Sequence, residues 1–249
     1  MEFKELGLSD ATICAIEELN IKHPTTVQSD VIPSILEGRD IFTIAPQRSG
    51  KTYSYVLPLI DIISAKKNQN ILVITPDGYQ ATNVSDSFAI FNKYHQNDEE
   101  DESNVVIATP DLILELDAEN KIDLSSINIL VVDDINLIKK RHQLSNLEKI
   151  LEKLPADKQN IVFTNRRSKE TQSILDKILK APAEIKVDKT KEDEAVNVQS
   201  QKAQSASKTK SSKTLEQPLD EKALELVKKY HIFNDKTPKY LLVEGVLKN

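Results

Sequence analysis

The stretch DIFTIAPQRSGKTYSYVLP, residues 40–58, decides the fold. An apolar, β-branched run, Ile41–Ala45, leads into a polar turn, and an apolar-rich helical pattern follows. Strand, then Ala45-x-x-x-x-Gly50-Lys51-Thr52, then helix is the context of a phosphate-binding loop. In such a loop the backbone N–H groups and the helix N-terminus face phosphate oxygens. Gln47, Arg48, Ser49, Gly50, Lys51 and Thr52 are therefore candidate nucleotide-binding residues. Lys51 reaches for the β- and γ-phosphates, and the Thr52 hydroxyl is a candidate magnesium ligand. The first half of the loop departs from this chemistry, with Gln47 and Arg48 where such loops carry glycine. If position 48 needs a positive φ, its Cβ costs about 1–2 kcal/mol.

Outward from the loop, short β-branched runs recur at Ile71–Thr75, Val105–Ala108, Ile129–Asp133 and Ile161–Phe163, with a weaker one at Glu184–Val187. Continuous apolar runs without alternation read as strands buried on both faces. Helical patterns lie between them in SDATICAIEELN, TYSYVLPLIDIISAKK, SNLEKILEKLP and SKETQSILDKILKAP. The alternation predicts an α/β fold: three layers, with helices on both faces of a mainly parallel central sheet. Ile129–Val132 is followed by Asp133 and Asp134, a strand-end carboxylate pair suited to holding magnesium.

Two segments break the pattern. NDEEDES (97–103) reads as a solvated acidic loop. Residues 189–218 have almost no large apolar side chain and read as a disordered linker. The expected organisation is a domain over 1–188, that linker, and a short C-terminal piece over 219–249. The last is too small for its own core.

Composition narrows the class. The 249 residues carry a net charge of −6, which argues against broad non-specific nucleic-acid binding. Five glycines are few for an enzyme built on Gly-rich loops. No apolar run approaches the roughly 18–20 residues of a membrane helix. A single cysteine, Cys14, excludes an internal disulfide; it is expected in the core on the apolar face of its helix. His23, His95, His142 and His231 lack metal-ligand spacing. The N-terminus lacks the pattern of a secretion signal. The expected location is intracellular: cytoplasmic, including a ribonucleoprotein granule, with the nucleus open. Tyr53 and Tyr55 read as packing residues. Lys139-Lys140-Arg141-His142 reads as a solvated helix start or a partner site.

The order and spacing of these motifs resemble the N-terminal RecA-like domain of DEAD-box RNA helicases over roughly residues 1–188. Phe3, Pro24-Thr25 and Gln28 match that family's adenine-recognition segment, and Gly38-Arg39-Asp40 precedes the first strand as it does there. The resemblance implies ATP and magnesium as cofactors. It places Phe3 and Gln28 at the base, Asp133 at the metal and Asp134 at the attacking water. It makes Pro76, Gly78, Thr109 and Pro110 weak RNA contacts.

Against the same family, several motifs are altered. The Asp-Glu-Ala-Asp motif is Asp133-Asp134-Ile135-Asn136, so the water-positioning group is one methylene short. Asn136 removes a charge that couples to Ser-Ala-Thr, itself replaced by Thr164-Asn165-Arg166. Asp111 and Leu112 stand where the family has glycine and arginine, so RNA contact weakens. Asn20-Ile21 replaces a glycine–aromatic pair, which removes stacking on the base. The expectation is a degenerate helicase-like domain acting as a nucleotide-, RNA- or protein-binding module in RNA metabolism. Its altered loop resembles Tudor-helicase proteins of germline small-RNA silencing. Two alternatives stand. One is an active ATP-dependent RNA helicase whose second domain is not in this chain. The other is an unrelated P-loop ATPase or GTPase.

Overall fold

Six apolar runs become strands: β1 (Ile41–Ile44), β2 (Asn70–Ile74), β3 (Asn104–Ala108), β4 (Ile129–Val132), β5 (Gln159–Thr164) and β6 (Ala183–Lys186). The computed structural model describes residues 1–66, 68–95 and 104–187, and the backbone of Leu241–Val243. That last segment is β7, parallel to β3. The order is β6-β1-β5-β4-β2-β3-β7, with every pairing parallel. The expected α/β fold is observed. The acidic run, the linker and the C-terminal helical patterns lie outside the described residues.

The four helical patterns form α1 (Asp10–Glu18), α3 (Lys51–Ala65), α7 (Leu144–Lys153) and α8 (Lys169–Ile178). Between them lie α2 (Thr26–Leu36), α4 (Gly78–Phe91), α5 (Pro110–Ala118) and α6 (Ile135–Lys140). Helices α1–α4 cover one sheet face, where Val73, Ile107, Val131 and Phe163 are buried. Helices α5–α8 cover the other, over Leu72, Val106, Leu130 and Val162. Adjacent strand residues thus enter different cores, which is why the strands read as unbroken apolar runs. Among the described residues no helix is long and apolar enough to cross a membrane.

Two expectations are corrected. Cys14 is exposed. Thr12, Ile13, Ala15 and Ile16 form the buried face of α1 instead. Thr12 can be inside because its hydroxyl donates to Asp61 at 2.5 Å. Lys139 and Lys140 occupy the last turn of α6, not a helix start, and Arg141 is its C-cap. Cations there oppose the partial negative charge of the helix end.

Asp61 also accepts from the Ser9 N–H and hydroxyl, both at 2.7 Å, which fixes the start of α1 on α3. His95 completes the lock, with Nε2 2.8 Å from Thr12 Oγ1 and Nδ1 2.8 Å from Ser64 Oγ. Burial holds the His95 pKa below its usual 6.5, with Asp61 opposing. A histidine depressed in the folded state favours folding above its unfolded pKa, and that contribution is lost as pH falls through the folded value. Urea midpoints at pH 7 and pH 5 should therefore show a fall on acidification that His95→Gln reduces. An identical fall in the variant would remove His95 as its source.

Candidate nucleotide site

Three adjacent strands, β1, β5 and β4, deliver the site to one sheet edge. Ladder bonds continue past the strand ends: Ala45 N donates to Thr164 O, and Asp133 N to Ile74 O, each at 2.9 Å. The phosphate loop, the Asp133–Asp134 pair and Thr164-Asn165 therefore leave the sheet side by side.

The loop needs left-handed backbone twice, at Arg48 (φ 63°) and Gly50 (φ 85°). The strain anticipated at position 48 is present, and Gln47 and Arg48 are both exposed. Ser49 Oγ donates to Pro46 O at 2.9 Å, closing the turn.

The start of α2 clamps the loop. Thr25-x-x-Gln28 is a capping box, in which Gln28 N donates to Thr25 Oγ1 and Thr25 N to Gln28 Oε1. The same side chains reach the loop: Thr25 Oγ1 donates to Ser49 O at 2.9 Å, and Gln28 Nε2 to Gly50 O at 3.3 Å. Gln28 is 3% exposed, so both ends of its carboxamide hold backbone here rather than an open base site. Phe3 is also buried, within the core beside α2.

Lys51 lies across the loop mouth. Its Nζ donates to Ala45 O at 3.3 Å and stands 3.6 Å from Asp134 Oδ2. Asp133 and Asp134 are 2% and 3% exposed. Asp133 Oδ2 accepts from Tyr55 OH at 3.2 Å and Gln80 Nε2 at 3.3 Å. Burial raises the Asp133 pKa, opposed by the Lys51 charge. Burial, and then the Asp133 charge, push the Tyr55 phenol well above its usual value. Asp134 sits at φ 62°, and its Oδ1 caps α6 by accepting from Leu137 N at 3.3 Å. Its Oδ2 is buried with no hydrogen-bond partner.

Two buried carboxylates, one with an orphaned oxygen, together with the Thr52 hydroxyl at the start of α3, form an all-oxygen donor set. Magnesium takes one or two carboxylates plus substrate phosphates, so these residues fit it. No group of three or more His, Cys, Asp or Glu suited to a metal occurs among the described residues. Tyr55, read from the sequence as packing alone, and Gln80, which the sequence did not single out, both hold Asp133. Each reaches Asp133 from more than 50 positions away, and no local spacing signals that.

Asn136 retains contact with the segment after β5 although its charge is gone. Its Nδ2 donates to Thr164 Oγ1 and Arg166 O, both at 2.6 Å. These neutral hydrogen bonds tie α6 to the end of β5.

The expected RNA contacts lie farther along the same edge, at the starts of α4 and α5. Pro76 precedes α4, where Asp77 is the N-cap and Gly78 the first helical residue. Asp77 is ion-paired to Arg141 at 2.8 Å. Thr109 caps α5 without a side-chain hydrogen bond, Pro110 follows, and Asp111 lies in the first turn.

The family profile of the DEAD/DEAH box helicases matches residues 25–174. The chain is similar to ATP-dependent RNA helicase DeaD of Haemophilus influenzae, 26% identical over 203 residues, covering 74% of this chain and 33% of that protein. It is also 26% identical to RNA helicase CrhR of Synechocystis sp., covering 76% of this chain and 42% of that protein. The chain thus spans well under half the length of these curated relatives. A crystal structure of a DEAD box protein from Methanococcus jannaschii superposes with a TM-score of 0.70 at 25% identity, covering 76% of this chain and 56% of that one. A loop, an acidic pair and a strand order of this kind, with a family match over 150 of 249 residues, place the chain in the DEAD/DEAH box helicase family.

Proposed function

We propose that this domain binds ATP with magnesium, hydrolyses it poorly, and serves RNA metabolism as a binding module with weak RNA contact and a protein partner. The carrying observation is the state of Asp134. One of its oxygens caps α6, the other faces Lys51, and its backbone is left-handed. A carboxylate committed this way is poorly placed to orient an attacking water, and a misplacement of about 1 Å costs about 10²-fold. Lys51 and the N-terminus of α3 would hold the phosphates, while Thr52 and Asp133 would hold magnesium. Magnesium, when bound, supplies charge neutralisation at the β- and γ-phosphate oxygens.

Single-turnover ATP hydrolysis, with and without single-stranded RNA, tests this. The wild-type chain should show no RNA stimulation, and Asp134→Glu should be at least about tenfold faster, part of the roughly 10²-fold placement penalty. RNA-stimulated turnover by the wild-type chain would sink the proposal. It would favour the second reading, an active RNA-remodelling domain completed by another domain. That reading draws on the preserved Asn136–Thr164–Arg166 bonds.

A further inference from the structure

We propose that a cavity at the β6–β1–β5 end of the sheet edge, which shares the Ala45-Pro46 wall with the phosphate loop but does not include Lys51, is an anion site that takes a phosphoryl group. The cavity measures about 430 Å³ and is lined by Arg166, Arg167 and Lys186, with Asn165, Ala45 and Pro46 among its other walls. No carboxylate lines it. Three cations on one cavity stand out in a chain of net charge −6.

Several surface cations elsewhere face acids: Lys4 meets Glu17, Lys93 meets Glu18, Lys139 meets Glu170 and Arg141 meets Asp77. Arg167 pairs with Glu184 and lies 5.6 Å from the centre of the Phe42 ring, which fixes its guanidinium. Arg166 and Lys186 have no ion-pair partner among the described residues. The base of Arg166 is nevertheless rigid, since its carbonyl accepts from Asn136 Nδ2 at 2.6 Å and Thr164 Oγ1 at 2.8 Å. A guanidinium can bond a phosphate in bidentate fashion.

The charge pattern along the sheet edge supports the placement. At the β2–β3 end, Asp77 and Asp111 occupy the starts of α4 and α5. Arg141 neutralises Asp77, which leaves Asp111 as the negative charge at that end, while Arg166 and Lys186 draw an anion to the β6–β1–β5 end. Two walls connect the cavity to the nucleotide site. Ala45-Pro46 begins the phosphate loop, and Arg166 hangs from Asn136, two residues after Asp134. An occupant would therefore bear on both. The site does not depend on ATP binding at the loop.

Amide NMR of the ¹⁵N-labelled full chain tests the assignment, with tripolyphosphate and a short single-stranded RNA as separate probes. Tripolyphosphate should shift the amides of Asn165, Arg166, Arg167 and Lys186 saturably, in wild type and in Lys51→Ala alike. The double variant Arg166→Ala/Lys186→Ala should weaken that response at least about tenfold, as expected for losing two charge-assisted phosphate contacts. Both residues are exposed, so the variant's own amide spectrum should report a retained fold. RNA shifting the same amides and competing with tripolyphosphate would identify the phosphoryl group as a backbone phosphate. A response to tripolyphosphate alone would identify a free polyphosphate. Shifts confined to residues 47–52, no saturable shift with either probe, or undiminished affinity in the double variant would overturn the site.

Discussion

Gly50→Ala should lower the unfolding free energy by about 3–4 kcal/mol, summing about 1–2 for a left-handed Cβ and about 1 for each of two displaced hydrogen bonds. Gly50 has φ 85°, and an added Cβ would lie 2.6 Å from Gln28 Nε2 and 2.8 Å from Thr25 Oγ1. Those two atoms hold the loop to α2 through Gly50 O and Ser49 O. Neither can retreat without opening the capping box that starts α2. The loss should appear as a lowered urea midpoint with an unchanged slope, and nucleotide binding should fall with it. An unchanged midpoint would mean that the clamp does not hold the loop.

Asp133→Asn should move stability and binding in opposite directions. Asp133 is buried, and burial raises its pKa despite Lys51. A carboxyl raised in the folded state adds stability below its unfolded pKa, and that stability is lost as pH rises through the folded value. Ionisation of Asp133 therefore weighs against the fold. The neutral amide keeps an oxygen to accept from Tyr55 and Gln80. It should raise the unfolding free energy, because it removes the desolvation cost of the buried charge that outweighs the attraction of Lys51. Magnesium-dependent nucleotide binding should be lost in the same variant. A destabilised Asp133→Asn protein would show that the charge is fully compensated by Lys51.

Local patterns made the frame of this protein legible. Strand–turn–helix around Gly50 and the acids after Ile129–Val132 depend on residues close in sequence, and both appear where expected. Contacts across the fold were not legible. Thr12 enters the core because Asp61, 49 positions away, receives its hydroxyl, while Cys14 is left outside. Hydropathy alone ranks those two residues the other way. Gln28 shows a different limit. The Thr-x-x-Gln spacing could have been read as a capping box from sequence, yet its second partner, Gly50 O, comes from another element. Asn136 looked like a lost charge, and only the position of Thr164 shows that the bond persists without it.

Titration of a fluorescent ATP analogue with magnesium, beside a Lys51→Ala control, tests the central claim most directly. Saturable, magnesium-dependent binding that disappears in the control is the result expected if the loop, Lys51 and Asp133 still form a nucleotide site. No saturation at tens of micromolar, or equal binding by the control, would contradict it. The loop would then be a structural relic held closed by Thr25 and Gln28.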